Sequence, residues 1–170
     1  MDKNLAVLHA MSMVTHSTDL DEFMRMANLT SSDVRGALKE LSKEGFVTKT
    51  GKGYVISERG KLVVVALSPS ASEKAFQFYC DVGQPVGVSA KNVKEFYDVV
   101  KTIPVNSLEF HLRRTDFENW FTTTVKDDVF ARELAGFKQT GLKGEALRDQ
   151  ILLSLQTRYG KDVLERQWSA

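Results

Sequence analysis

Four apolar residues at helical spacing, Val34, Ala37, Leu38 and Leu41, lead into Gly45, and two short β-type runs follow at once: Phe46-Val47-Thr48-Lys49 and Gly53-Tyr54-Val55-Ile56. This succession constrains the fold more than any other feature of the chain. A helix that ends at a glycine, where the backbone can turn left-handed, hands the chain directly to a hairpin. The tip, Thr50-Gly51-Lys52-Gly53, is small, basic and glycine-containing, as a tight β-connection requires. Ser57-Glu58-Arg59-Gly60 then opens an apolar segment, Leu62 to Leu67, which reads as a further helix with Gly60 weakening its first turn.

The residues upstream supply two more helices. Leu5, Leu8, Met11 and Met13 to Val14 predict a helix over 5–14 that ends near His16. Ser17-Thr18-Asp19 is a helix-start cluster, with Thr18 or Asp19 able to cap together with Glu22. Leu20, Phe23, Met24 and Ala27 form one face of a short second helix. Thr30-Ser31-Ser32-Asp33 fits a capping box with aspartate in place of the preferred Glu or Gln, so the third helix starts at Thr30. Ser31, Ser32, Arg35, Lys39 and Lys43 point away from its apolar stripe.

Charge separates the two halves of the chain. The formal net charge of the 170 residues is only +1. Residues 34–61 hold seven Lys and Arg against three acids, a local +4, whereas residues 68–170 hold 14 of each sign. A local basic surface suffices for sequence-specific DNA binding, although the whole chain is unlike a protein that coats nucleic acid. No apolar run reaches the length of a membrane span, and Met1-Asp2-Lys3-Asn4 lacks the layout of a signal peptide. The single Cys80 excludes an internal disulfide and a multi-cysteine zinc site. The expected setting is cytoplasmic, with no membrane partner.

The pattern of Leu38-Lys39-Glu40-Leu41, Gly45-Phe46-Val47, Gly53-Tyr54-Val55-Ile56 and Arg59-Gly60 resembles the winged helix-turn-helix transcriptional regulators of archaea and bacteria. The resemblance covers about residues 4–67. It implies double-stranded DNA as partner, a recognition helix in the major groove and a basic wing on the backbone. On that reading Ser31, Ser32 and Arg35 stand at the end of the helix that faces the bases, and Gly36 permits close approach. Arg35 is the expected base reader, since arginine makes bidentate contact with guanine. Lys39, Lys49 and Lys52 are expected to position the protein on phosphates, with Lys43 on the same helix face. Glu40 and Glu44 on that helix weigh against DNA. Winged helices also dock proteins, so a protein–protein adaptor is the alternative reading.

The second half reads as mostly helical. Ser68-Pro69-Ser70-Ala71-Ser72 resembles a linker. Phe76, Phe78 and Cys80 alternate with more polar neighbours and predict a strand. Gly83-Gln84-Pro85-Val86-Gly87 reads as a turn, and Ser89 as the cap of a helix bearing Val93, Phe96, Tyr97 and Val100. Short helices follow over Ser107–Arg113 and around Phe117, Trp120 and Phe121, then longer ones over Val129–Phe137 and Leu142–Tyr159.

The densest polar cluster is Glu109, His111, Arg113, Arg114 and Asp116, followed by Trp120. His111, Arg114, Asp116, Phe117 and Trp120 give the shape His-x-x-Arg-x-Asp-Phe-x-x-Trp, which resembles a small helical domain of uncharacterised archaeal and bacterial proteins. That resemblance implies no activity. The cluster could bind a polar effector, or it could be a buried network tying short helices together, which is the favoured reading. One His without a Cys partner is a poor metal site, and His9 with His16 is no better. No nucleophile with its base and no phosphate loop is present, so no enzyme, cofactor or metal is expected.

The expected architecture is therefore α+β and mostly helical: a winged helix-turn-helix over 1–67, a linker over 68–74, and a helical domain with a small β element over 75–170. The second domain is read as a dimerisation or sensing unit, with a small-molecule or protein effector as candidate partner. A homodimer is expected, because paired half-sites add affinity. The apolar stripe of Leu147, Ile151 and Leu155, widened by Leu152 and Tyr159, is its candidate interface, with Met11 and Met13 adding apolar surface.

Overall fold

The computed structural model describes residues 2–14 and 20–168. The predicted cap at Ser17, Thr18 or Asp19 lies outside them. The fold is α+β, with two separate antiparallel sheets of two strands each among the described residues. The chain divides into two compact units, Met1–Val64 with Glu165–Ala170, and Val65–Leu164. The division falls inside a helix, and residues 68–74 belong to the second unit.

In the first unit the helices are α1 (Lys3–Ser12), α2 (Leu20–Ala27) and α3 (Ser31–Lys43), followed by strands β1 (Val47–Thr50) and β2 (Gly53–Ile56) and by α4 (Glu58–Leu67), which runs on into the second unit. Asp2 caps α1 by accepting the Asn4 and Leu5 N–H groups at 2.9 and 3.3 Å, so the helix starts earlier than periodicity alone predicts. It ends at Ser12, where the Met13 N–H closes on the Ala10 carbonyl, and not near His16 as the spacing predicts. Thr30 caps α3 by accepting the Asp33 N–H at 3.2 Å. Its hydroxyl in turn donates to the Asp33 carboxylate at 2.8 Å. Val7, Leu8, Phe23, Val34, Leu38, Leu41 and Phe46 form the buried centre.

The exit from α3 explains the motif seen in sequence. Gly45 takes φ +77°. The Phe46 N–H donates to the Leu41 carbonyl at 2.9 Å and the Gly45 N–H to that of Ser42 at 3.2 Å, closing the helix with a Schellman motif. β1 and β2 pair from Val47↔Ile56 to Thr50↔Gly53, leaving Gly51 and Lys52 as the tip. The Ser57 N–H donates to the Phe46 carbonyl at 3.0 Å, and the Ser57 hydroxyl accepts the Gly60 N–H at 3.0 Å. Ser57 thus fastens the hairpin to the helix end and starts α4. Gly60 is there because there is no room for more: a Cβ would lie 2.2 Å from the Phe46 carbonyl oxygen.

The second unit opens with a 3₁₀ turn (Ser72–Lys74) and strands β3 (Phe76–Asp81) and β4 (Gln84–Ala90). Helices α5 (Val93–Thr102), α6 (Val105–Arg113) and α7 (Asp116–Trp120) follow. A π-turn (Phe121–Val125) leads into α8 (Asp128–Phe137), α9 (Gly144–Tyr159) and α10 (Lys161–Glu165). Two expectations are corrected. Residues 84–87 are strand, and the turn is confined to Val82 and Gly83, where Gly83 has φ +72°. Pro85 and a kinked Gly87 fit because β4 is an edge strand with an irregular register. The helix after it is capped by Asn92, which accepts the Glu95 N–H at 2.8 Å, and Ser89 lies in β4.

The predicted stripe of α9 is core. Leu147, Ile151, Leu155 and Tyr159 are buried within the chain, and Leu152 is half-buried. The stripe therefore gives no support to a dimer interface. Met11 is likewise buried, and only Met13 of that pair is exposed.

Candidate nucleic-acid interface

α3 sorts its side chains by sign. Successive residues rotate by about 100° on a helix of 3.6 residues per turn. Val34, Ala37, Leu38 and Leu41 therefore share one face, and they are buried. Ser32, Gly36, Lys39 and Lys43 lie opposite and are exposed, with Arg35 exposed on one shoulder. Ser31 is half-buried at the first turn. Asp33, Glu40 and Glu44 fall together on the other flank.

Each of those acids has a partner. Lys3 Nζ donates to Asp33 at 2.6 Å, Asn4 Nδ2 to Glu40 at 3.0 Å, and Arg166 Nη1 to Glu44 at 2.9 Å. The hydrogen bond from Lys3, followed by that from the Thr30 hydroxyl, holds the Asp33 carboxyl below the ordinary aspartate range. Glu40 and Glu44, which counted against an anionic partner in the sequence, are thus turned aside and engaged. The partners come from the two ends of the chain, and no sequence spacing reveals them.

The cations on the open face are left without such partners. Among the described residues none pairs with Arg35, Lys39, Lys43, Lys49 or Lys52, and all five are exposed. Lys49 and Lys52 stand on the hairpin, Lys49 opposite Tyr54 in the register. Between hairpin and helix lies a hollow of 320 Å³ lined by Leu20, Phe23, Arg35, Leu38, Lys49, Gly53 and Tyr54. Tyr54 is the residue of this group that sequence reasoning did not single out for a role.

The second polar cluster is dispersed by the fold. Glu109 accepts the Gly144 N–H at 2.8 Å and so caps α9, whose own cap residue, Lys143, makes no side-chain bond. Trp120 Nε1 donates to the Lys74 carbonyl at 2.8 Å, and its ring stacks on Phe96 at 5.5 Å. Only His111, Arg114 and Asp116 meet. His111 Nε2 accepts the Tyr79 N–H at 2.8 Å. The ring proton therefore sits on Nδ1 and is donated to Asp116 Oδ2 at 2.8 Å. Arg114 Nε reaches the same oxygen at 3.3 Å. One turn earlier on α6, the buried Ser107 donates to the Tyr79 carbonyl at 2.7 Å. Ser107 and His111 together hold both backbone groups of Tyr79 at the point where the register of β3 and β4 shifts.

Burial draws the His111 imidazole below the ordinary histidine range, against the pull of Asp116. With both ring nitrogens engaged by the protein, His111 has none to offer a metal, and the described residues contain no cluster of metal-binding side chains. No helix among them is long and apolar enough to cross a membrane. No family model, curated protein or solved structure matches this chain.

A second buried network escaped the sequence reading. Asp127 accepts the Phe130 N–H at 3.1 Å, two bonds from Arg158 at 2.9 Å, and one from the Tyr159 hydroxyl at 2.6 Å. Burial raises its pKa, but the bonds from Arg158 and Tyr159 outweigh that and hold it below the aspartate range. Asp127-Asp128 ahead of an apolar helix is a cap signal. The distant Arg158 is not foreseeable from it.

Proposed function

We propose that the chain is a sequence-specific DNA-binding transcriptional regulator built on a winged helix-turn-helix, with α3 as recognition helix and the β1–β2 hairpin as wing. The observation that carries this is the sorting of charge on α3: its acids gather on one flank, where Asp33 and Glu44 are paired with cations and Glu40 is held by the Asn4 amide, while among the described residues five cations of helix and hairpin stand exposed without a counter-ion. An unpaired cationic helix face beside a basic hairpin complements a major groove flanked by phosphates. The reading includes a homodimer on a two-fold axis, because one such unit spans a single half-site.

The closing experiment compares duplex binding of the wild type with a variant in which Lys39, Lys43, Lys49 and Lys52 are alanine. The positions are exposed, so the fold should survive. The variant should lose duplex binding and show a clearly shallower dependence of log affinity on log salt. Equal affinity of the two proteins would sink the proposal. Sedimentation on half-site and palindromic duplexes checks the dimer: a species of twice the chain mass on the palindrome is expected, and a monomer on both contradicts it.

A further inference from the structure

The geometry points to Arg35 as a clamp on a backbone phosphate, acting with Lys49, and to Lys39 as the side chain of α3 that reads a base. This rests on the DNA-binding reading and reverses the roles the sequence suggested for the two residues. The residues opposite the buried stripe of α3 are Ser32, Gly36, Lys39 and Lys43. By rotation Lys39 lies about 30° from the centre of that face and Arg35 about 70° from it on the same side, toward the hairpin.

A helix with its side chains is about 10–12 Å across, and the major groove is about 12 Å wide. A helix in the groove therefore turns its central face to the base edges and its shoulders to the walls, where the phosphates run. Arg35 is on such a shoulder. It lines the same hollow as Lys49 and Tyr54, over a floor that includes Phe23 and Leu38. Among the described residues the lining has two cations and no carboxylate, and neither cation has a partner. One guanidinium and one ammonium group from different elements, lining one hollow beside apolar walls that weaken screening by water, suit one anionic group of the duplex backbone. Lysine can donate to guanine O6 and N7, so Lys39 can carry the base contact.

The test uses the duplex selected by the wild type from a random pool, with Arg35→Ala and Lys39→Ala. Both positions are exposed, and matched melting curves establish that each variant folds. Arg35→Ala should weaken all duplexes alike, keep every base preference and lower the salt slope by about 0.9. Lys39→Ala should lose roughly tenfold on the selected duplex and relax one base position. A scan of single methylphosphonates should find one phosphate whose neutralisation weakens the wild type and leaves Arg35→Ala unchanged. If Arg35→Ala relaxes a base position at constant salt slope, or if no neutralised phosphate is silent in it, the assignment is wrong. Failure of the wild type to select any sequence would instead remove the DNA-binding reading itself, before a variant is made.

Discussion

At the scale of single residues the chain is most informative where a side chain is missing. Gly60 was legible as part of a motif, but its reason is the carbonyl of Phe46, which a Cβ would meet at 2.2 Å. Overfilling a packed site typically costs about 1–3 kcal/mol, and backbone yields less readily than a side-chain tip. Gly60→Ala should lower the melting temperature of the first unit, whereas Gly36→Ala, with open space around it, should leave it unchanged or raise it slightly. Equal melting of the two variants would contradict the packing described. His111 gives a pH prediction. Its folded pKa lies below the ordinary 6.5, so the neutral ring is favoured by folding. That contribution is complete above about 6.5 and is lost as pH falls from there toward the folded value. Asp127, held below 3.8, keeps its full contribution above about 3.8 and loses it as pH falls from there through its own lower folded pKa. Melting of the second unit should therefore drop in two steps on acidification. In His111→Gln, where the amide can still meet Tyr79 and Asp116, the first step should vanish. Its persistence would mean that another group titrates there.

The elements are readable from apolar spacing and turn residues, as in α2, α3, the β1–β2 hairpin and α5 to α8, and in α3 the expected cap agrees as well. They were misread where local signals compete with tertiary ones. Pro85 and Gly87 signal a turn in any short window, yet an edge strand tolerates both. Ser89 offers a cap, but Asn92 takes it because the helix can start only after β4 has finished pairing at Ala90. The stripe of α9 was legible as apolar, and periodicity says nothing about whether such a stripe meets its own chain or another. Ile151 is completely buried, so Ile151→Glu should leave the second unit unfolded or molten at neutral pH. A folded monomer from that variant would restore the stripe as an interface. Trp120 anchors the same core through Phe96 and the Lys74 carbonyl. Its replacement by alanine should cost about 3–5 kcal/mol, read by denaturant titration.

The whole molecule holds what the sequence could least reveal. The segment from Glu165 groups with the N-terminal unit, and through Arg166 it neutralises Glu44 on the helix proposed to enter DNA. The chain's near-zero net charge conceals a local division of sign, with cations outward and acids tied down, that the +4 of residues 34–61 only hinted at. Which lysine faces a base and which arginine faces a phosphate depends on the shoulder of one helix. A segment count cannot resolve that. The central claim stands or falls on a selection of bound duplexes from a fully randomised pool, run with the intact chain at a salt concentration of about 0.15 M. Repeated rounds should converge on one short motif, with mismatches costing about 1–3 kcal/mol each. A pool that stays random, or retention equal to that of the four-lysine variant, would contradict the account.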